Sequence, residues 1–173
     1  MTYYKQYILN DDNTYTYESS VFGTDSKSSG DYTISNETQN IVEIHFNIIN
    51  NSFINEDSAY VNFAKQYNKV FKYKNMLGSI IEANELPTSE TFDYIIPNET
   101  GGGMVYTNDG YYHSCTDINN CQCDYAKDTK YIRKDNIIYF NIKDSVNAEY
   151  WQIAGYIVDN YLFTPEFYKA ENN

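Results

Sequence analysis

Apolar and polar residues alternate with a period of two along much of the chain. The clearest stretch is residues 41–49. There Val42, Ile44, Phe46 and Ile48 share one face, and Glu43, His45 and Asn47 share the other. Side chains of a strand point alternately to its two faces, so this pattern predicts a strand with one face buried. Residues 2–9 and 14–22 are rich in Tyr and Thr and flank the polar residues 10–13. That arrangement predicts a hairpin with a four-residue loop. Residues 31–35 and 91–96 read as short strands, the second stopping at Pro97. Residues 104–107 and 111–113 flank Asn108, Asp109 and Gly110, and Asp-Gly between strands is a hairpin signal. Residues 130–133 and 136–143 pair across Lys134 and Asp135. Residues 23–30, rich in Ser, Gly and Asp, read as a mobile surface loop.

Two segments follow a helical period instead. Tyr60, Phe63, Ala64, Tyr67, Val70 and Phe71 form an i, i+3, i+4, i+7 stripe, which predicts an amphipathic helix. Asn55, Glu56 and Asp57 favour its N-terminus, and Gly78 its end. Lys65, Lys69 and Lys72 lie on a neighbouring face and read as solvated. Tyr150, Ile153, Ala154, Ile157, Val158 and Tyr161 form a second stripe, with Asp144 or Ser145 as cap and Pro165 as terminator. The expected fold is therefore a single α+β domain over residues 1–173: a mostly antiparallel sheet with two amphipathic helices packed on it. The strand–helix alternation of a nucleotide-binding fold is missing. Gly101, Gly102 and Gly103 lead into a strand rather than a helix, so they read as a flexible connection and not a phosphate loop.

Composition narrows the function by exclusion. The 173 residues are 42% hydrophobic, enough for a core, and 20 of them are Tyr. Tyr suits half-buried positions and interfaces, because its ring is apolar and its hydroxyl needs a partner. The net charge is −12 and the one Arg is Arg133. Nucleic-acid affinity rests mainly on cations neutralising phosphates, so direct binding to DNA or RNA is not expected, nor is docking on an acidic membrane surface. A basic protein surface is the partner such a field would steer towards. No apolar run approaches the ~20 residues of a membrane helix, and no signal peptide is visible after Met1. The expected location is the cytoplasm, of a host cell if the protein is viral. The bias towards Asn, Ile, Tyr and Asp, with A/T-rich codons, leans towards a viral or mobile-element source.

One group of residues concentrates metal-binding chemistry. His113, Cys115, Cys121 and Cys123 read H-x-C-x5-C-x-C within eleven residues. A Cys3His set can hold a structural zinc, closed to solvent because all four residues would serve as ligands. The spacing is against it in one respect. Residues i and i+2 on a regular strand lie nearly 7 Å apart, and no C-x2-C knuckle is present. A disulfide from Cys115 to Cys121 or Cys123, or three free thiols, are the alternatives.

No hydrolase or metalloprotease motif is present, and the two His, His45 and His113, leave few general bases. A dyad of His45 with a cysteine is allowed by the sequence and not suggested by it. No catalytic or cofactor-binding residue is assigned. The best-fitting expectation is a non-catalytic, acidic protein-interaction module, virus- or phage-encoded, that binds and blocks a basic nucleic-acid-binding site on a larger protein. The alternatives are a structural subunit of a viral particle or other homo-oligomeric assembly, and a small hydrolase or thiol enzyme.

Overall fold

The computed structural model describes residues 4–21, 24–51, 69–121, 128–144, 146–167 and 170–171. Among these residues the chain forms fourteen strands, one three-residue 3₁₀ turn and no α-helix. It packs as two compact units. The first comprises Met1–Ser79 and Pro165–Asn173, the second Ile80–Thr164. No helix among the described residues is long and apolar enough to cross a membrane.

The first unit is a meander. Strands β1 (Tyr4–Leu9), β2 (Thr14–Val21), β3 (Thr24–Asn36), β4 (Ile41–Asn51), β5 (Lys69–Tyr73) and β6 (Met76–Glu82) pair antiparallel in chain order. Its core is built largely of aromatic rings. Tyr7 stacks on Phe46 with centroids 4.7 Å apart, and Tyr15 lies 4.4 Å from the same ring. Leu9, Ile44, Val70 and Leu77 complete the buried cluster. Period-2 alternation explains this set, since Tyr7 and Leu9, Tyr15 and Tyr17, and Ile44 and Phe46 are i, i+2 pairs on one face. Each such ring pair adds about 0.5–1.5 kcal/mol beyond its burial.

The second unit is also a meander. Strands β7 (Tyr94–Pro97), β8 (Gly103–Tyr106), β9 (Tyr111–Cys115), β10 (Thr129–Lys134), β11 (Ile137–Lys143), β12 (Glu149–Val158) and β13 (Tyr161–Phe167) follow one another. The chain enters this unit within β6 and leaves it within β13. Phe92, Tyr106 and Tyr131 form its aromatic centre, with centroids 4.9 to 5.5 Å apart. Arg133 is buried and acts as a clamp. Its Nε donates to the Asp135 carbonyl at 2.7 Å, and Nη1 donates to the carbonyls of Pro87 and Leu86. Burial pushes its guanidinium below the usual value.

The last strand, β14 (Ala170–Glu171), returns to the first unit. It pairs with β1, Tyr7 opposite Ala170, and this ladder is parallel where those above are antiparallel.

The α+β expectation is thus overturned, because the described chain is nearly all β. Tyr150 to Tyr161 form β12, a tight turn and the start of β13, not a helix. The apparent stripe arose by coincidence of spacing. The segment is dense in Tyr, Trp, Ile and Val, which favour strands, and carries Gly155 in its interior, which weakens a helix. The larger part of the other expected helix lies outside the described residues. Its last members, Val70 and Phe71, stand in β5. Gly78 ends nothing; it is buried in β6 opposite Phe71. The expected loop over residues 23–30 belongs mostly to β3, which has β2 on one side and β4 on the other. Two flanking ladders satisfy its backbone, and that context overrides the poor strand propensity of Ser and Gly.

Three of the hairpins share one turn chemistry. Lys74, Asp135 and Asp159 each have φ of 54° and each is followed by Asn. Left-handed backbone at a two-residue connection matches the twist of the flanking strands.

Candidate functional site

The cysteine cluster grows out of β9. This strand alternates, so His113 and Cys115 point to its buried side while Ser114 is exposed. Register places Val105 opposite His113 and Gly103 opposite Cys115. The chain then turns back. Asp117 caps a 3₁₀ turn, Ile118–Asn120, by accepting from the Asn119 N–H at 2.9 Å and from the Asn120 amide at 2.5 Å. These hydrogen bonds hold the Asp117 carboxyl below its ordinary value. The turn delivers Cys121 to Cys115, and the two are joined as a disulfide with Cα atoms 5.7 Å apart.

Two glycines at the start of β8 make room for this loop. A Cβ on Gly102 would strike the Cys115 carbonyl, and one on Gly103 would strike the Ile96 carbonyl and sit 2.9 Å from Ile118 Cδ1. Gly101 has φ of 88° and its carbonyl accepts from the Ile118 N–H at 3.1 Å. Gly102 and Gly103 are therefore a close-packed floor, not the flexible connection expected.

Of the four residues expected to bind metal, three converge. One ligand atom each from His113, Cys115 and Cys121 lies within 4.8 Å of the others. Strand spacing alone does not forbid the cluster, because the side-chain atoms approach more closely than the Cα atoms from which they spring. Cys123 lies outside the described residues. Asp128 joins the group unannounced by any motif. Its Oδ2 is 3.6 Å from His113 Nδ1, and the two side chains are 12% and 8% exposed. The signal that reaches it is register. Tyr112 faces Thr129 and Tyr111 faces Lys130, so one further step of the ladder puts 128 opposite 113.

His45 belongs to the first unit, which contains no cysteine. Its Nε2 contacts Glu43 Oε1, and Lys69 Nζ lies 3.2 Å from the other oxygen. Burial pushes the Glu43 carboxyl up, but hydrogen bonds from Lys69 and His45 outweigh it and leave it below its ordinary value. A recess of about 380 Å³ in the second unit is lined mainly by Ile80, Ile81, Ile96 and Met104, with Glu99 its one titratable side chain.

The second unit also exposes large apolar side chains on both faces of the β11–β12 hairpin near its tip. Val146, Tyr150, Trp151 and Ile153 are 78%, 47%, 49% and 39% exposed. The tip is held in shape. Asp144 Oδ1 accepts from the Val146 and Ala148 N–H groups, both at 2.9 Å, and Lys143 pairs with Glu149 at 3.4 Å. Among the described residues, β13 is laddered to β12 only at Tyr156, Ile157 and Val158.

No family model, curated protein or solved structure matches this chain.

Proposed function

We propose that the protein is a non-catalytic interaction module whose β11–β12 hairpin docks on a basic surface of a larger protein. The observation that carries this reading is the exposure of four large apolar side chains, Val146, Tyr150, Trp151 and Ile153, about one hairpin tip of a chain of net charge −12. Large aromatic side chains are the commonest energetic anchors of protein interfaces. A rigid tip lowers the ordering cost of using them. The acidic field steers a basic partner towards the tip, and a nucleic-acid-binding site is the typical surface of that charge.

The test is a comparison of the full chain with a Tyr150→Ser, Trp151→Ser double variant. Each is used to capture partners from lysate and eluted with a salt gradient. Support would be one discrete basic protein, released at moderate salt, lost with the variant and displaced by an oligonucleotide. Equal capture by both proteins would remove the hairpin from the reading, and an absence of any basic partner would remove the reading itself.

A second reading is self-assembly. Residues 149–154 of β12 have β11 on one edge, and among the described residues the ladder to β13 stops short of them. An edge of this kind can pair with a second copy. Salt-resistant association that grows with protein concentration, and that the same double variant abolishes, would favour it.

A further inference from the structure

The geometry points to a redox-gated zinc site formed by His113, Cys115 and Cys121, with Asp128 as the residue that positions the imidazole. The oxidised state is the disulfide between Cys115 and Cys121. The reduced state offers two thiols and an imidazole nitrogen already gathered within 4.8 Å of one another. In a tetrahedral site with Zn–S of about 2.3 Å and Zn–N of about 2.0 Å, the ligand atoms stand about 3.5 to 3.8 Å apart. Opening the disulfide to that separation is a side-chain movement, because the two Cα atoms stay within the range of either state.

The surroundings favour a soft divalent cation. Cys115 and His113 are screened from solvent beside β8 and β9, and Cys121 at the end of the 3₁₀ turn is half-buried. The loop that carries Cys121 is fixed by Asp117 at one end and by the Gly101 carbonyl beneath it. Asp128, opposite His113, supplies the carboxylate that commonly orients a metal-bound imidazole.

The two states exclude each other, since the same sulfur atoms cannot serve both. The exchange balances as follows. Two equivalents of a thiol reductant reduce the disulfide, giving two protein thiols and one oxidised reductant disulfide. Zinc then binds the two sulfurs and the imidazole, and two thiol protons pass to solvent. A small-molecule disulfide reverses the step: it takes two electrons from the two sulfurs and two protons from solvent, leaves as two thiols, and the protein disulfide re-forms as the ion departs.

The test uses the full chain in both redox states. Protein reduced with a phosphine and desalted without oxygen is titrated with zinc against a chromogenic chelator, and separately with cobalt. The expected result is one tightly bound zinc in the reduced protein and at least a hundredfold weaker binding in the oxidised protein. Cobalt should give a thiolate charge-transfer band in the near ultraviolet. Asp128→Asn should weaken zinc by about 10- to 100-fold and leave that band intact. Cys123→Ser should retain the site, and His113→Ala should lose it. The oxidised wild-type chain controls for folding, because it differs from the reduced chain by two hydrogen atoms alone. Zinc affinity equal in the two redox states, no thiolate band with cobalt, or undiminished binding in Cys115→Ser, Cys121→Ser protein would each overturn the assignment.

Discussion

The hydroxyl of Tyr131 accepts a hydrogen bond from the Phe92 N–H at 2.8 Å and lies 2.8 Å from the Phe92 carbonyl oxygen. The Thr107 carbonyl is 3.0 Å away. One side chain on β10 therefore ties down two loops and fills the aromatic centre of its unit. Tyr131→Phe keeps the ring and strands the polar groups. A buried donor or acceptor left unpaired costs about 1–3 kcal/mol, so this variant should lose that much stability in urea denaturation. A change under about 0.5 kcal/mol would mean that water replaces the hydroxyl.

Buried tyrosines also predict a loss of stability in alkali. Burial pushes Tyr131 from 10.0 to about 12, with the nearby Asp93 and Asp109 carboxylates adding to the rise and the Phe92 hydrogen bond opposing it. Burial raises Tyr7 and Tyr106 as well. A folded pKa above the unfolded value means the folded state holds its proton longer. The stabilisation is complete below about pH 10 and is lost as pH rises towards about 12. Unfolding free energy measured across this window should fall with pH, and less steeply in Tyr131→Phe.

The glycine floor under the cysteine loop makes a sharper prediction. Gly102→Ala places a methyl against the Cys115 carbonyl, a backbone atom that cannot swing away. Overpacking of this kind costs about 1–3 kcal/mol. Gly101→Ala meets no atom within 4 Å and suffers only from its φ of 88°, so its cost should be nearer about 1 kcal/mol. Thermal melts of the two variants should rank in that order.

Lys74 is a non-glycine residue held at φ of 54°. Left-handed backbone costs an ordinary L-residue roughly 1–2 kcal/mol, while glycine loses only part of that through its floppier unfolded chain. Lys74→Gly should therefore stabilise the protein by about 0.5–1 kcal/mol in chemical denaturation. Asn75→Gly, one position on, serves as the comparison and should gain less.

The disulfide closes a short loop, from Cys115 to Cys121. In the loop-entropy picture a closure of this length is worth about 2 kcal/mol. Metal-free Cys115→Ser, Cys121→Ser protein should melt correspondingly lower than the oxidised chain. The difference should shrink when the oxidised chain is reduced.

Strands with strict alternation were legible, as in Ile44 and Phe46 of β4 or Ile138 of β11. Their faces are set by local chemistry. The segment around Trp151 was not legible, because apolar residues occupy both faces of β12 at its exposed tip and mimic a helical stripe. The repeated pairing of a left-handed residue with Asn, at Asp159 and Asn160, was the available clue that a hairpin stood there. In the site, the chemistry of His113, Cys115 and Cys121 could be read from spacing. The approach of Asp128 could not, since it depends on which residue of β10 faces β9.

The parallel strand β14 sets an order of events during synthesis. Its partner β1 is made before Ile80–Thr164 and β14 after it. At roughly 5–20 residues per second, the ribosome takes about 4 to 17 s to make the intervening unit. Through that interval Tyr7 and Ile8 of β1 wait for the strand that pairs with them in the finished molecule. A nascent chain is thus open to capture by a chaperone, or by a neighbouring nascent copy, at a stretch of edge that the finished molecule pairs.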